Sequence, residues 1–212
     1  VPLNVQDDFY SAAIPEPATV MGLRLKPFSL GHVILLGRVR SSFVTEGEQT
    51  SLHDLALSVL ICALEFKEGL EIFNNKELPK FFVKWHNKLA GISFLTQAKL
   101  RKPKPIDYAS HAKAFGEYVQ RGSRVPQYSY NPTDFKQMEC PSVQIVKTTL
   151  MRDMHFREAE LMDRPWGLCL WDFVTLRALA GQVAMVDGDA IKQAQEVADA
   201  MAKRMKEVHN GT

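Results

Sequence analysis

The run from Leu55 to Leu64 (Leu-Ala-Leu-Ser-Val-Leu-Ile-Cys-Ala-Leu) constrains this chain more than any other feature. Its side chains are apolar on nearly every side of a helix, so it belongs in the middle of a protein core rather than on a surface. It is too short to cross a bilayer, which takes about 20 apolar residues. Ser51 and Asp54 precede it as a capping-box-like pair, with Asp in place of the usual Glu, and predict a helix from there to about Leu64. A helix of this kind needs neighbours on all sides. The chain can supply them: 212 residues, 46% hydrophobic and 24% charged, allow one domain with a substantial core and exclude a disordered chain.

Other helix signals follow in order. Residues 1–20 are polar, carry Pro2, Pro15 and Pro17, and read as an extended arm. Gly22-Leu-Arg-Leu-Lys26 alternates like a short strand that Pro27 stops, and Ser29 caps a helix through Leu30, Val33, Ile34 and Leu36. Pro79 opens a helix-like segment over Lys80–Leu100, Pro103 and Pro105 break the chain, and a further helix runs from Ile106 to Gln120, ending at Gly122. Residues 123–142 carry turn-formers and aromatics and mark the best internal boundary.

Beyond it, Pro141 or Ser142 opens a helix with Val143, Val146, Leu150, Met151 and Met154 on one face, and a shorter helix occupies 157–162. Asp163 caps the next, with Leu168, Trp171, Val174, Ala178 and Leu179 inward and Gly181 at its end. Val183–Val186 is a short apolar connector, and a terminal helix runs from Asp187 or Asp189 to about Val208. The predicted fold is all-α: an irregular multi-helix bundle over 21–212, with an extended arm over 1–20 and at most a short strand near 22–26.

Three cysteines, Cys62, Cys140 and Cys169, are widely spaced with no C-x-x-C, which argues against both a disulfide scaffold and a zinc ribbon. Cys62 and Cys169 sit in apolar runs, where a thiol acts as a small buried hydrophobe. Residues 1–8 lack the basic start and apolar core of a signal peptide, and the first residue, Val1, points to a processed or trimmed end. The expected location is cytoplasmic, with the virion as the other option under the resemblance given below.

No catalytic, cofactor-binding or metal-binding residues emerge. His32, His53, His86, His111, His155 and His209 are scattered, and no two stand three to five apart as helical metal ligands would. Asp153-Met154-His155 with Glu158 comes nearest, but Asp153 and His155 point apart on a helix and read as solvated surface. No glycine pattern matches a phosphate loop or a dinucleotide fingerprint, and no Gly-x-Ser-x-Gly occurs. The expectation is a protein without enzymatic activity.

Two features suit a binding role. Between Lys76 and Pro105 stand eight basic residues (Lys76, Lys80, Lys84, Lys88, Lys99, Arg101, Lys102, Lys104) against the single acid Glu77. Lys80, Lys84 and Lys88 form one helical ridge, beside a ridge of Phe81, Trp85 and Leu89. The plain reading is an amphipathic helix with its aromatics inward; the functional one is an acidic partner, such as phosphates or an acidic protein segment. With a net charge of +2 over the whole chain, a general nucleic-acid protein is not expected. The second feature is the spacing of Ile191, Ala194, Ala198, Met201, Met205 and Val208, a heptad seam lasting under three heptads. It packs either on its own domain or, with its adaptable methionines, on a partner. In the latter case removing 190–212 leaves the rest folded.

Two stretches carry a family resemblance. Gly22 to Leu36, with Ser42-Phe43 and Asp54 to Cys62, resembles the opening of small phage and prophage tail-gene proteins. Val146 to Met151, Glu158-Ala-Glu160, Arg164-Pro-Trp-Gly-Leu-Cys-Leu-Trp-Asp172 and Val186-Asp187 are similar to the C-terminal half of tail assembly chaperone-like proteins. The resemblance implies a non-enzymatic helical protein that binds a tape-measure helix and helps tail-tube subunits polymerise, with no cofactor and no membrane. Lys80, Lys84, Lys88, Trp85, Ile191, Ala198, Met201 and Met205 are then the candidate partner-binding residues. Two other expectations stand beside it: a structural virion subunit (tail completion or connector, a homo-oligomer), and a non-specific nucleic-acid-binding module using 76–105.

Overall fold

A computed structural model of the chain describes residues 5–75, 80, 107–126, 128–130 and 140–185. These residues are mostly helical, with eight helices and four three-residue strands among them. In chain order they are α1 (Val5–Ala13), β1 (Ala18–Val20), β2 (Leu23–Leu25), α2 (Leu30–Arg38), α3 (Leu52–Ala63), α4 (Phe66–Asn75), α5 (Tyr108–Gly122), β3 (Tyr128–Tyr130), α6 (Ser142–Asp153), α7 (Glu158–Met162), α8 (Trp166–Leu179) and β4 (Val183–Met185).

The apolar helix takes its expected central place. Leu55, Val59 and Cys62 of α3 are wholly buried, and each large side chain so removed from water contributes about 1.5–3 kcal/mol. Ser51 caps α3 by accepting the Asp54 N–H at 3.0 Å. The return half of the capping box is not made. The Asp54 carboxylate turns instead to the preceding loop, accepting from Ser42 N–H at 3.1 Å and Ser42 Oγ at 2.6 Å, and so fixes residues 41–44 over the helix.

The short α2 is the hub of the molecule, packing on α3, α4, α6, α7 and α8. Its fully buried Leu30, Leu35 and Leu36 join Leu55, Phe115, Leu150, Leu161 and Cys169 in one hydrophobic core. Apolar residues fill two adjacent faces of this helix, which suits it to several neighbours at once.

The N-terminal arm expected to be extended is, in its described part, folded: a helix, α1, and then the strand β1. Pro15 and Pro17 lie past the last helical residue, Ala13, so they end the helix without interrupting it. The ring of Phe9 holds α1 in place by meeting Trp171 edge-on at 5.5 Å between centroids. The strand expected near 22–26 is present as β2, and it pairs antiparallel with β1. Met21 and Gly22 make the two-residue turn between them, with φ of 52° and 78°, the left-handed pair that a tight hairpin needs.

With β3 and β4 as well as β1, three strands stand beyond the single one expected. Tyr128–Tyr130 pairs antiparallel with Val183–Met185, so the apolar connector after α8 is a strand. Leu179 also departs from its expected inward place and is 81% exposed, because α8 ends there and Gly181 (φ 71°) turns the chain away. Met154 likewise lies past the end of α6 and is exposed. The segment Lys80–Leu100 (Lys80 excepted), the boundary residues 131–139 and the terminal segment from Asp187 lie outside the described residues.

Candidate functional site

Among the partner-binding residues read from the sequence, Lys80 is exposed. Lys84, Trp85, Lys88, Ile191, Ala198, Met201 and Met205 lie outside the described residues, so neither the basic ridge nor the heptad seam has a geometry to report. Two other places gather polar or reactive groups: a buried junction beneath α2, and a cleft beside α1.

The junction is built by the turn Lys26–Ser29. Ser29 Oγ caps α2 by accepting the His32 N–H at 3.3 Å, and His32 Nδ1 accepts the Ser29 N–H in return at 3.1 Å. His32 thus takes the part that Glu plays in an ordinary capping box. Its Nε2 lies 2.8 Å from the Leu64 carbonyl oxygen, which can only accept, so the ring is neutral with its proton on Nε2. Burial holds the His32 pKa below its usual 6.5, against the opposing pull of the Leu64 carbonyl. Both ring nitrogens are committed to the backbone.

Nearby, Tyr118 donates its hydroxyl hydrogen to the Lys26 carbonyl at 2.8 Å, and Lys26 N–H donates to the Cys62 carbonyl at 2.8 Å. Burial drives the Cys62 thiol far above its ordinary range and pushes Cys169 up to about 12. Neither is a thiolate near neutral pH, so neither is a nucleophile. The Tyr118 hydroxyl is raised too, by burial first and by Cys62 second. These groups align the turn and the helix ends; they are not poised for chemistry.

Asp153 and His155 stay apart from any ligand cluster. Asp153 forms a paired hydrogen bond with Arg152, which holds its carboxyl below the usual range. Among the described residues no group of three His, Cys, Asp or Glu side chains could hold a metal ion, and no helix is long and apolar enough to cross a membrane.

The cleft is a cavity of about 160 Å³ between α1, the end of α5 and the start of α8. Ser11, Ala12, Pro15 and Glu16 form one wall, and Phe28 with Pro165 and Gly167 another; Tyr118, Arg121 and Arg124 complete it. Local packing shapes it. Gly167 lets α1 and the end of α5 come close, since a β-carbon there would stand 3.2 Å from both Ala12 Cβ and the Gly122 carbonyl oxygen. Arg121 Nη1 meets Glu16 Oε2 at 2.8 Å at the mouth. Beside the cleft, Phe9 and Tyr10 of α1 and Ile14 just past its end stand in water, 39%, 60% and 75% exposed.

None of the cleft residues reads as a site residue in the sequence, although Pro15 and Gly122 stand out there as ends of elements. They come from segments far apart in the chain, and neither arginine stands out in its own neighbourhood. Compared with protein families, curated proteins and solved structures, the chain matches none.

Proposed function

We propose that this chain is a non-enzymatic assembly factor that captures an amphipathic partner helix. On the resemblance of residues 22–62 and 146–187, we propose a tape-measure-like helix of a phage-tail-like system as that partner. The observation that supports a binding role is the apolar surface of α1 and the residue that follows it. Phe9, Tyr10 and Ile14 lie close together in sequence and stand well exposed, although α1 itself is docked on α8 through Phe9 and Trp171. Large apolar side chains grouped in water mark interaction surfaces, and a helix laid against them recovers about 25 cal/mol for each Å² it covers. A partner with its own apolar stripe at i, i+3, i+4 and i+7 suits such a surface.

Size-exclusion chromatography with light scattering tests this, at low and high salt, with the chain alone and mixed with the helical products of neighbouring genes. A monomer or small oligomer that takes up one long helical neighbour is expected, with uptake reduced about tenfold or more in a Tyr10→Glu, Ile14→Glu double variant. A ring or filament formed unaided replaces this reading with that of a structural virion subunit. Binding that disappears at high salt and needs no partner helix, only nucleic acid, replaces it with the basic-segment reading.

A further inference from the structure

Helix α1 is seated lightly on the body of the protein, with α8 and α5 as its main neighbours. Its side-chain anchors are the Phe9 ring edge-on to Trp171, Ala12 against Gly167 and, just past the helix, Glu16 on Arg121. Each is modest. Phe9 keeps 39% of its surface in water, and the ion pair joins side chains that are 79% and 45% exposed, so water screens it. Beneath Ser11, Ala12, Pro15 and Glu16 the cleft of about 160 Å³ leaves part of the seat without protein contact, and attraction is forgone there. The link from α1 to β1 is residues 14–17 alone. Pro15 and Pro17 bias the residues before them, Ile14 and Glu16, towards extended backbone, which makes this link a short, stiff spacer.

The seat names its own occupant. It offers an aromatic ring at Trp171, a residue without a side chain at Gly167 and a cation at Arg121. The arm answers with Phe9, Ala12 and Glu16, spaced i, i+3 and i+7. Every copy of the chain carries the same arm and the same seat. We propose that α1 is an exchangeable arm: at high concentration it leaves its own body for the matching seat on a second copy, which returns its own arm and closes a two-fold dimer. Exchange costs little, because every arm contact is remade across the dimer and only the backbone of 14–17 changes. An arm on a short tether meets its own seat at an effective concentration of about 1 mM, so a second copy competes as the chain approaches that range. Tyr10 stands in water while α1 is seated, in either form, so exchange does not depend on capture of a partner helix.

Two variants of the full chain test this, both carrying Cys140→Ser to remove the partly exposed native thiol. One is Glu16→Cys and the other Arg121→Cys, and they are mixed at about 1 mM and treated with a short bis-maleimide. Neither chain alone holds both new thiols, so a 16–121 link between chains reports an arm lying on the other body. Mass spectrometry is expected to find this link well in excess of 16–16 and 121–121 links, and light scattering to find a dimer of the unmodified chain that dissociates on dilution. Phe9→Ala is expected to speed exchange and leave the dimer fraction unchanged, since the anchor is lost equally from both forms. Tyr10→Glu, which weakens partner capture, leaves the link in place; its loss there means that the copies meet through the outer face of α1 and overturns the proposal. Equal yields of the three links, the mark of chance collision, or a chain still monomeric at about 1 mM overturns it too. Shifts of the Gly167 and Trp171 amides when a neighbouring gene's helix meets that monomer give the seat to a foreign helix instead.

Discussion

A β-carbon built on Gly122 would stand 2.5 Å from Phe28 Cβ. The last residue of α5 therefore lies directly against the root of the Phe28 side chain, and the root cannot swing aside as a side-chain tip can. Gly122→Ala is expected to lower stability by about 1–3 kcal/mol, the usual range for overpacking a filled interior. Gly116 lies in the same helix with nothing within 4 Å of its built β-carbon. Gly116→Ala should raise stability by about 0.5–1 kcal/mol, because alanine restricts the unfolded chain without meeting a neighbour. Urea denaturation of the two variants checks both signs, and a neutral Gly122→Ala would show that α5 does not end against Phe28.

The neutral capping histidine gives stability a pH dependence of known sign. The folded His32 pKa lies below 6.5 while the unfolded one sits near it, so below pH 6.5 the unfolded chain binds the extra proton. His32's contribution is thus complete above pH 6.5 and is lost as the pH falls from there through the folded value. Glutamine at this position can still bond to the Ser29 N–H but does not titrate. Chemical denaturation across this range should show wild type losing more stability on acidification than His32→Gln. Parallel losses in the two proteins would mean that the ring is not held neutral by the Ser29 and Leu64 backbone.

The cysteines should differ sharply in reactivity. Cys140 is partly exposed, whereas Cys62 and Cys169 are buried and kept protonated. A thiol reagent at neutral pH should label Cys140 in the folded protein and reach the other two only after denaturation. Mass spectrometry of the labelled peptides reads this directly. Labelling of Cys169 at the rate of Cys140 would show that α8 opens locally in the folded state.

Much of the fold was legible where one segment carries its own signals. Ser29, Ser51, Ser142 and Gly181 punctuate helices on the page as they do in space. Trp171 was placed inward by its register with Val174, and both are buried. The helix α4 went unread because its support comes from elsewhere: Asp163 accepts the Phe66 N–H at 3.0 Å, and Gly69 lies close under Leu35. In the case of α1, Pro15 and Pro17 follow the helix, and on the page a proline that follows a helix looks like one that excludes it. His32 reads as a lone histidine in the sequence, since nothing local announces that Leu64 lies opposite its ring. The cleft was the least legible of all, because proximity between Glu16, Arg121 and Pro165 is a product of the whole fold.

The turn at Phe28 also sets a timetable for synthesis. The Phe28 carbonyl accepts the Trp166 N–H at 2.7 Å, the Leu30 N–H donates to the Arg164 carbonyl at 3.1 Å, and Ser29 pairs with Pro165 between them. Each of these three partners of the early turn belongs to a late stretch of the chain. A ribosome that has released only the first helices leaves these backbone groups, and the apolar flank of α2, to water or to whatever holds nascent chains. Contacts between such distant residues close slowly, so the central helix pair waits on α8 before it locks. A stall in translation before Arg164 would therefore leave not a smaller folded protein but an open one, sticky along α2 and dependent on cellular chaperones.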